Sequence, residues 1–151
     1  MEIRDGVIES DQRRCIDLWL DAVATRDGHI DAVAVGLRAQ EKFTCRIVRF
    51  AALGDDVEGF ALTVDGGGGV ACLEMLAVAP QASRRGGGRT LLVDALTCAA
   101  NAGFSRFELK VREENTGAIN LYRSAGMTQI GVAAEHPLGG LPMVTFGCSM
   151  L

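Results

Sequence analysis

The sequence predicts a mixed α/β fold, one domain over residues 1–151, with elements in the order β-α-α-β-β-β-α-β-α-β-β around a mixed central sheet. Three observations predict it. Four segments repeat their apolar residues at three- and four-residue intervals, the period of a helix with one buried face. Between them lie β-rich apolar runs bounded by Gly- and Asp-containing turns. The chain has 151 residues, of which 48% are hydrophobic, so it can bury a real core and is too apolar for disorder. No internal repeat or linker divides it.

Residues 2–8 read as a short strand. Ser10 stands as an N-cap for a helix from Asp11 to about Ala24, with Cys15, Leu18, Trp19, Ala22 and Val23 on one face. TRDGH reads as a loop. A second helix is expected from about Ile30 to Lys42, with Ile30, Val33, Ala34 and Leu37 facing inward. Three strands follow: residues 44–53, residues 57–64 after the turn GDD, and residues 70–79 after DGGGG, which reads as a hairpin connection. The last of these is a nearly unbroken apolar run, expected of a central strand covered on both faces, and Glu74 is its one charged residue.

A helix carrying Leu92, Val93, Leu96 and Ala99 then extends to about Ala102, and Gly103 suits the left-handed position past its end. Residues 105–111 alternate as a strand. Asn115 is placed to cap a helix whose inner face is Ala118, Leu121, Tyr122 and Ala125, closed by Gly126. Two strands, 127–133 and 142–149, flank the loop EHPLGGLP.

Charge and composition narrow the function. A net charge of -4 argues against general affinity for nucleic acid or anionic membranes. No apolar run approaches the length of a membrane span, and the N-terminal residues lack the pattern of a signal peptide. Two histidines, His29 and His136, leave little room for a histidine-rich metal site. Five cysteines at wide spacings, with no CxxC pair, read as reduced thiols in a cytoplasmic protein.

Against this acidic background, PQASRRGGGRTLL at residues 80–92 puts three arginines and three consecutive glycines where a strand passes into a helix. The first helical turn carries N–H groups without internal partners, and its dipoles favour an anion. Glycine removes the Cβ that would block an oxygen and permits positive φ. The pattern therefore reads as a phosphate cradle, with Arg84, Arg85 and Arg89 adding charge. A P-loop would need Lys and then Ser or Thr after the last glycine, where Arg89 and Thr90 stand. A dinucleotide fingerprint would need a third glycine where Leu91 stands.

The wider stretch LAVAPQASRRGGGRTLL, followed by NTGAINLYRSAGM, resembles the GNAT superfamily of N-acetyltransferases. Val78 and Pro80 set the register of the family's central signature, Gly86 and Gly88 take its glycine positions, and Leu91 and Leu92 begin its helix. Asn115, Ala118, Leu121, Tyr122 and Gly126 match the downstream signature. Ser83 stands where the family has Gln or Arg, and Gly87 replaces the usual branched apolar residue.

The resemblance implies acetyl-CoA as acyl donor, no metal, and a fold in which the cofactor lies across a splay between the fourth and fifth strands. Leu76, Ala77 and Val78 would pair with the pantetheine arm. The N–H groups of Arg84, Arg85, Gly86, Gly87, Gly88, Arg89 and the adjoining Thr90 would take the pyrophosphate, and Asn115 would hold the pantetheine chain. By analogy, the acceptor is an amine, on a small molecule or a peptide. Dimerisation is common in the family, and by analogy the C-terminal strands would offer the interface of a homodimer.

Direct transfer needs a neutral amine. A lysine-like amine of pKa about 10.4 is deprotonated in roughly one molecule in a few thousand at pH 7, a deficit of about 4 to 5 kcal/mol. Glu74 is the candidate base, because a charge in so apolar a strand needs a reason; the alternatives are an arginine partner or a solvent-facing edge. Tyr122, the only tyrosine, is implied by resemblance to assist departure of the CoA thiolate. With ordinary pKa values near 10 and 8.5, full proton transfer from it is uphill by about 2 kcal/mol. Cys72 shares a face with Glu74 by strand alternation, but no histidine lies nearby to activate it for an acyl-enzyme route.

Two other classes stay open: a non-catalytic acyl-CoA-binding or sensing module of the same fold, and a Rossmann-type nucleotide-binding protein. The acceptor groove of such a fold is built from segments holding Arg26, Asp27, His29, Asp31, Glu135 and His136, whose acidic members would attract a cationic amine.

Overall fold

The computed structural model describes residues 2–135 and 142–150, with backbone only for 132–135. The loop EHPLGGLP, including His136, lies almost entirely outside the described residues, as does the Glu135 side chain. Chain order is β1 (Ile3–Asp5), α1 (Ile8–Asp27), α2 (Ala32–Lys42), β2 (Ile47–Leu53), β3 (Gly59–Asp65), β4 (Val70–Val78), α3 (Pro80–Ser83), α4 (Gly87–Asn101), β5 (Arg106–Arg112), α5 (Thr116–Ser124), β6 (Thr128–Glu135) and β7 (Pro142–Ser149). This is the expected order with one addition, the short α3 ahead of the glycines. Pro80 opens it, since a proline at the first helical position loses no hydrogen bond.

The strands form one sheet in the order β1-β2-β3-β4-β5-β7-β6. Only β4 and β5 run parallel; the other neighbours are antiparallel. Each face carries its own core. On one, Leu91, Leu92, Ala95 and Ala99 of α4 pack on Leu53, Leu73, Phe107 and Phe146. On the other, Cys15 and Leu18 of α1 and Ala39 of α2 pack with Phe43, Phe50, Phe60, Leu62 and Met75.

Two local expectations fail for physical reasons. Ser10 is not the cap of α1, which begins at Ile8. The Asp11 carboxylate accepts from the Val7 N–H at 2.8 Å and from Arg4 at 2.7 and 3.1 Å, and this partly buried ion pair braces a helix start one turn earlier. The inner face of α2 is not the one with most apolar residues: Val33 is 73% and Leu37 55% exposed, while Ala39 is buried. The less exposed stripe is Val35, Arg38, Ala39 and Lys42, in which Ala39 joins the core and the stems of Arg38 and Lys42 are half-buried. On α4, Val93 faces outward, 45% exposed, and Leu91 is fully buried.

Strand β4 is irregular on both edges. Thr63 opposes Leu73 and Leu62 opposes Met75, so Glu74 is the extra residue of a β-bulge. The bulge turns the strand over: Ala71 and Leu73 belong to the α4-side core, and Met75 and Ala77 to the α1-side core. On its other edge β4 pairs with β5 only from Val70 to Leu73, opposite Arg106 to Leu109. Beyond that point the two strands part.

Candidate functional site

The parting of β4 and β5 opens a cleft of about 300 Å³. Its walls are Glu74 to Val78 of β4 and Leu109 to Val111 of β5. Trp19, Ala22 and Arg26 of α1 close one side, and Ser83, Gly88, Asn115, Gly117, Ala118, Leu121 and Tyr122 the other. Residues Met75 to Val78 each oppose a β3 residue and none opposes β5, so the backbone groups of this stretch that point away from β3 face the cleft. Leu76 and Val78 pack toward the α4 side, Ala77 toward α1.

The amino end of α4 meets the cleft at Gly88. Gly86 is the N-cap in the left-handed conformation, φ 79°. The Gly86 and Arg85 N–H groups donate to Ser83 and Ala82. Among the described residues nothing accepts from the N–H groups of Gly87, Gly88 or Arg89. The two helical glycines differ. A Cβ on Gly87 would lie 2.9 Å from the Ala82 carbonyl oxygen and 3.0 Å from Leu53 and Val78 side chains, so the helix can seat against the sheet only without one. The usual branched residue has no room there. A Cβ on Gly88 would make an ordinary 3.4 Å contact with Leu121, and would stand in the cleft wall.

The arginines are not equivalent. Arg85 donates to Glu58 at 2.8 Å, and Arg89 to the Ser124 hydroxyl at 3.1 Å. Arg84 is exposed and has no partner among the described residues. The Thr90 hydroxyl donates to the Gly86 carbonyl, closing the first turn. Asn115 Oδ1 accepts from the Ala118 N–H at 3.2 Å, so it caps α5 while also lining the cleft.

Tyr122 projects from α5 and is 7% exposed, its ring centroid 6.4 Å from that of Phe146. Burial pushes its phenol up to about 12, with Arg26 pulling weakly the other way. Among the described residues its hydroxyl has no hydrogen-bond partner. Glu74 is not buried among apolar neighbours: its side chain is 39% exposed, and its companion is a lysine. Lys42 Nζ lies 4.0 Å from the Glu74 carboxylate, donates to the Glu74 carbonyl at 3.4 Å, and sits 5.9 Å from the centre of the Trp19 ring. Burial lowers the Lys42 pKa, and Glu74 partly restores it. Cys72 packs against the α1-side core, and burial, then Glu74 and Glu108, raise its thiol and hold it from the thiolate.

The residues expected at the acceptor groove are divided. Asp27 joins Arg26 at 2.9 Å and Arg112 at 2.8 Å. Burial works against its charge, yet the two arginines hold its carboxyl below the usual range. Asp31 caps α2, accepting from the Ala34 N–H at 3.1 Å. His29 is exposed. Trp19 and Lys110, which line the cleft, and Lys42, which sits against Glu74, are residues that no motif in the sequence marks. The only trace of Lys110 in the sequence was its place in an alternating strand.

Among the described residues no cluster of three His, Cys, Asp or Glu could hold a metal ion, and no helix is long and apolar enough to cross a membrane.

The sequence model of the Acetyltransferase (GNAT) family matches residues 11–127. No curated protein matches significantly. Among solved structures, a ribosomal-protein-alanine N-acetyltransferase from Brucella melitensis is 19% identical over 99% of both chains, with a TM-score of 0.75. Ard1 from Thermoplasma volcanium is 18% identical over 99% of this chain and 97% of its own, with a TM-score of 0.77. A phosphinothricin acetyltransferase from Sinorhizobium meliloti, solved in complex with acetyl-CoA, is 16% identical over 98% and 87%, with a TM-score of 0.74. At these identities the likeness is one of fold.

Proposed function

Because the chain belongs to the GNAT family of acetyltransferases, we propose that it acts as one domain that transfers an acetyl group from acetyl-CoA to a primary amine. The observation that carries this reading is the meeting, in one cleft, of the unpaired edge of β4 and the α4 amino end with its unengaged N–H groups. The residues present fit the cofactor. Main-chain groups from Leu76 to Val78 face the channel that a pantetheine arm needs. The N–H groups of Gly87, Gly88 and Arg89 suit a diphosphate, with Arg84 the arginine free to approach it. Asn115 can cap α5 through Oδ1 and still offer its amide N–H groups to the cleft.

When bound, acetyl-CoA supplies an acetyl group activated as a thioester. In the net reaction the amine nitrogen bonds to the acetyl carbon, the carbon–sulfur bond breaks, the amine loses one proton and the thiol gains one. Glu74, at the bulge, takes the amine proton directly or through water. Tyr122 steadies the developing thiolate. Its phenol near 12 faces a thiol near 8.5, so full proton transfer is uphill by about 5 kcal/mol, and its contribution is a hydrogen bond that tightens as charge develops. The same burial makes the empty site costly for a tyrosinate and keeps the donor proton in place.

The test is free-CoA release by purified protein across amine classes. Release with at least one class, slowed in Tyr122→Phe while acetyl-CoA binding holds, supports the reading. Acetyl-CoA binding without release from any amine favours the non-catalytic module. A thermal shift with NAD or ATP but not acetyl-CoA favours the nucleotide-binding alternative.

A further inference from the structure

We propose that Arg26 is a positioning residue for acetyl transfer: held by Asp27 and Arg112, it presents a fixed positive charge to Tyr122 as the thiolate departs. The proposal deepens the acetyl-transfer reading above and rests on it.

Two chains of contacts start from Arg112, the last residue of β5. Its carbonyl accepts from the Asn115 N–H at 3.0 Å, and Asn115 caps α5, the helix that carries Tyr122. Its side chain donates to Asp27 at 2.8 Å, and Asp27 in turn accepts from Arg26 Nε at 2.9 Å and Nη2 at 3.3 Å. The Asp27 and Arg112 side chains are 12% and 9% exposed, so this link is largely shielded from solvent. Arg26 and Tyr122 line the same cleft, one from α1 and the other from α5. Both are therefore tied to Arg112, and shielded contacts rather than free rotation of a long side chain set their relation.

The fork on Asp27 uses Nε and Nη2, and Arg26 Nη1 has no partner among the described residues. Asp27 is shared between two guanidiniums, so it does not serve to cancel Arg26 alone. Other charges stand near. Glu74 and Lys110 also line the cleft, and Arg123 sits 5.6 Å from the centre of the Phe146 ring. Arg26 is the one whose charge bears on the Tyr122 phenol, easing the rise that burial imposes.

A guanidinium stays charged at any working pH. Tyr122 is buried, so a charge facing it is screened less than at an open surface. As the carbon–sulfur bond breaks, the Tyr122 hydroxyl shares the negative charge that gathers on sulfur. A cation already fixed in place lowers the cost of that charge without moving at the moment of reaction. Arg26 thus acts through Tyr122, and Asp27 and Arg112 hold it there.

Tyr122 is the only tyrosine, so protein grown on 3-fluorotyrosine gives one fluorine NMR signal, and the fluorine brings the phenol midpoint down to milder pH. Arg26→Gln should raise that midpoint by about half a pH unit or more, and Arg26→Lys should keep it nearer the parent value. With an amine that turns over, Arg26→Gln should slow turnover about tenfold while acetyl-CoA affinity stays within about twofold. In a Tyr122→Phe background the same change should cost about twofold or less, because its route of action is gone. The Arg26 side chain is 29% exposed, and Arg26→Met supplies a second neutral variant if the glutamine melts early. A midpoint that stays or falls in the neutral variants, or an equal loss of turnover with and without the Tyr122 hydroxyl, overturns the proposal. Failure of the underlying reading is separate: it appears as absent CoA release with every amine, while the fluorine titration still decides the pairing of Arg26 with Tyr122.

Discussion

The amino end of α4 and the α1–α2 wall open onto one cleft, yet the first is made of backbone and the second of side chains. At α4 the groups presented are N–H donors, which follow a left-handed Gly86 and meet the cleft at Gly88. Backbone exposure of this kind demands glycine at set spacings, whatever the surrounding fold. On the opposite wall, Trp19 and Arg26 reach the cleft, and Lys42 reaches Glu74, only because α1 and α2 pack at a particular rotation. A site built from main chain is thus written locally. A site built from side chains is written in the packing.

The largest test of this contrast is Tyr122→Phe. It keeps the ring against Phe146 and removes only the hydroxyl, so turnover should fall about 100-fold while acetyl-CoA affinity, which the proposal assigns to backbone, stays within about twofold. Steady-state kinetics beside calorimetry separates the two effects. Next comes the pair of helical glycines. Gly88→Ala should weaken acetyl-CoA binding about tenfold with little change in melting temperature, since its new methyl makes an ordinary contact but narrows the cleft. Gly87→Ala should do the reverse, destabilising by about 1–3 kcal/mol through the clash with the Ala82 carbonyl. If both lose the same property, the division of labour between them is wrong.

A smaller effect sharpens the account away from the cleft. Asp11→Asn should cost about 1–2 kcal/mol at pH 7 in denaturant unfolding, whereas Ser10→Ala should change stability by less than about 0.5 kcal/mol. The hydrogen bond from Arg4 holds the Asp11 carboxyl below its usual range. The folded state therefore gains from the charged form above about pH 4, and loses that gain as pH falls through the depressed value. The gap between wild type and Asp11→Asn should close below about pH 4. The smallest expected change is Leu37→Gln, within about 0.5 kcal/mol, because that leucine is 55% exposed. A large loss there would restore the apolar stripe as the buried face of α2.

These cases show what a reader of the sequence could and could not see. The order of strands and helices follows from periodicity and turn residues, and the glycine turn from its own chemistry. The inner face of α2 departs from the expected stripe because apolar count does not decide burial there. The actual inner stripe buries Ala39 and the stems of longer residues, a choice set by the space above the sheet. The bulge at Glu74 was hinted at by a charge in an apolar run, but its register depends on β3, whose pairing no local pattern states. Lys110 was hidden for the same reason. It faces the cleft because β5 leaves β4 after Leu109, and nothing within β5 marks the point of departure.

The central claim is that backbone amides at the start of α4 take the diphosphate of acetyl-CoA bound in the splay. Amide-resolved NMR titration with acetyl-CoA tests it most directly. The N–H signals of Gly87, Gly88 and Arg89 should shift together with those of Leu76 to Val78, and their hydrogen exchange should slow on binding. Saturable acetyl-CoA binding that leaves the three α4 amides unshifted and unprotected would contradict it.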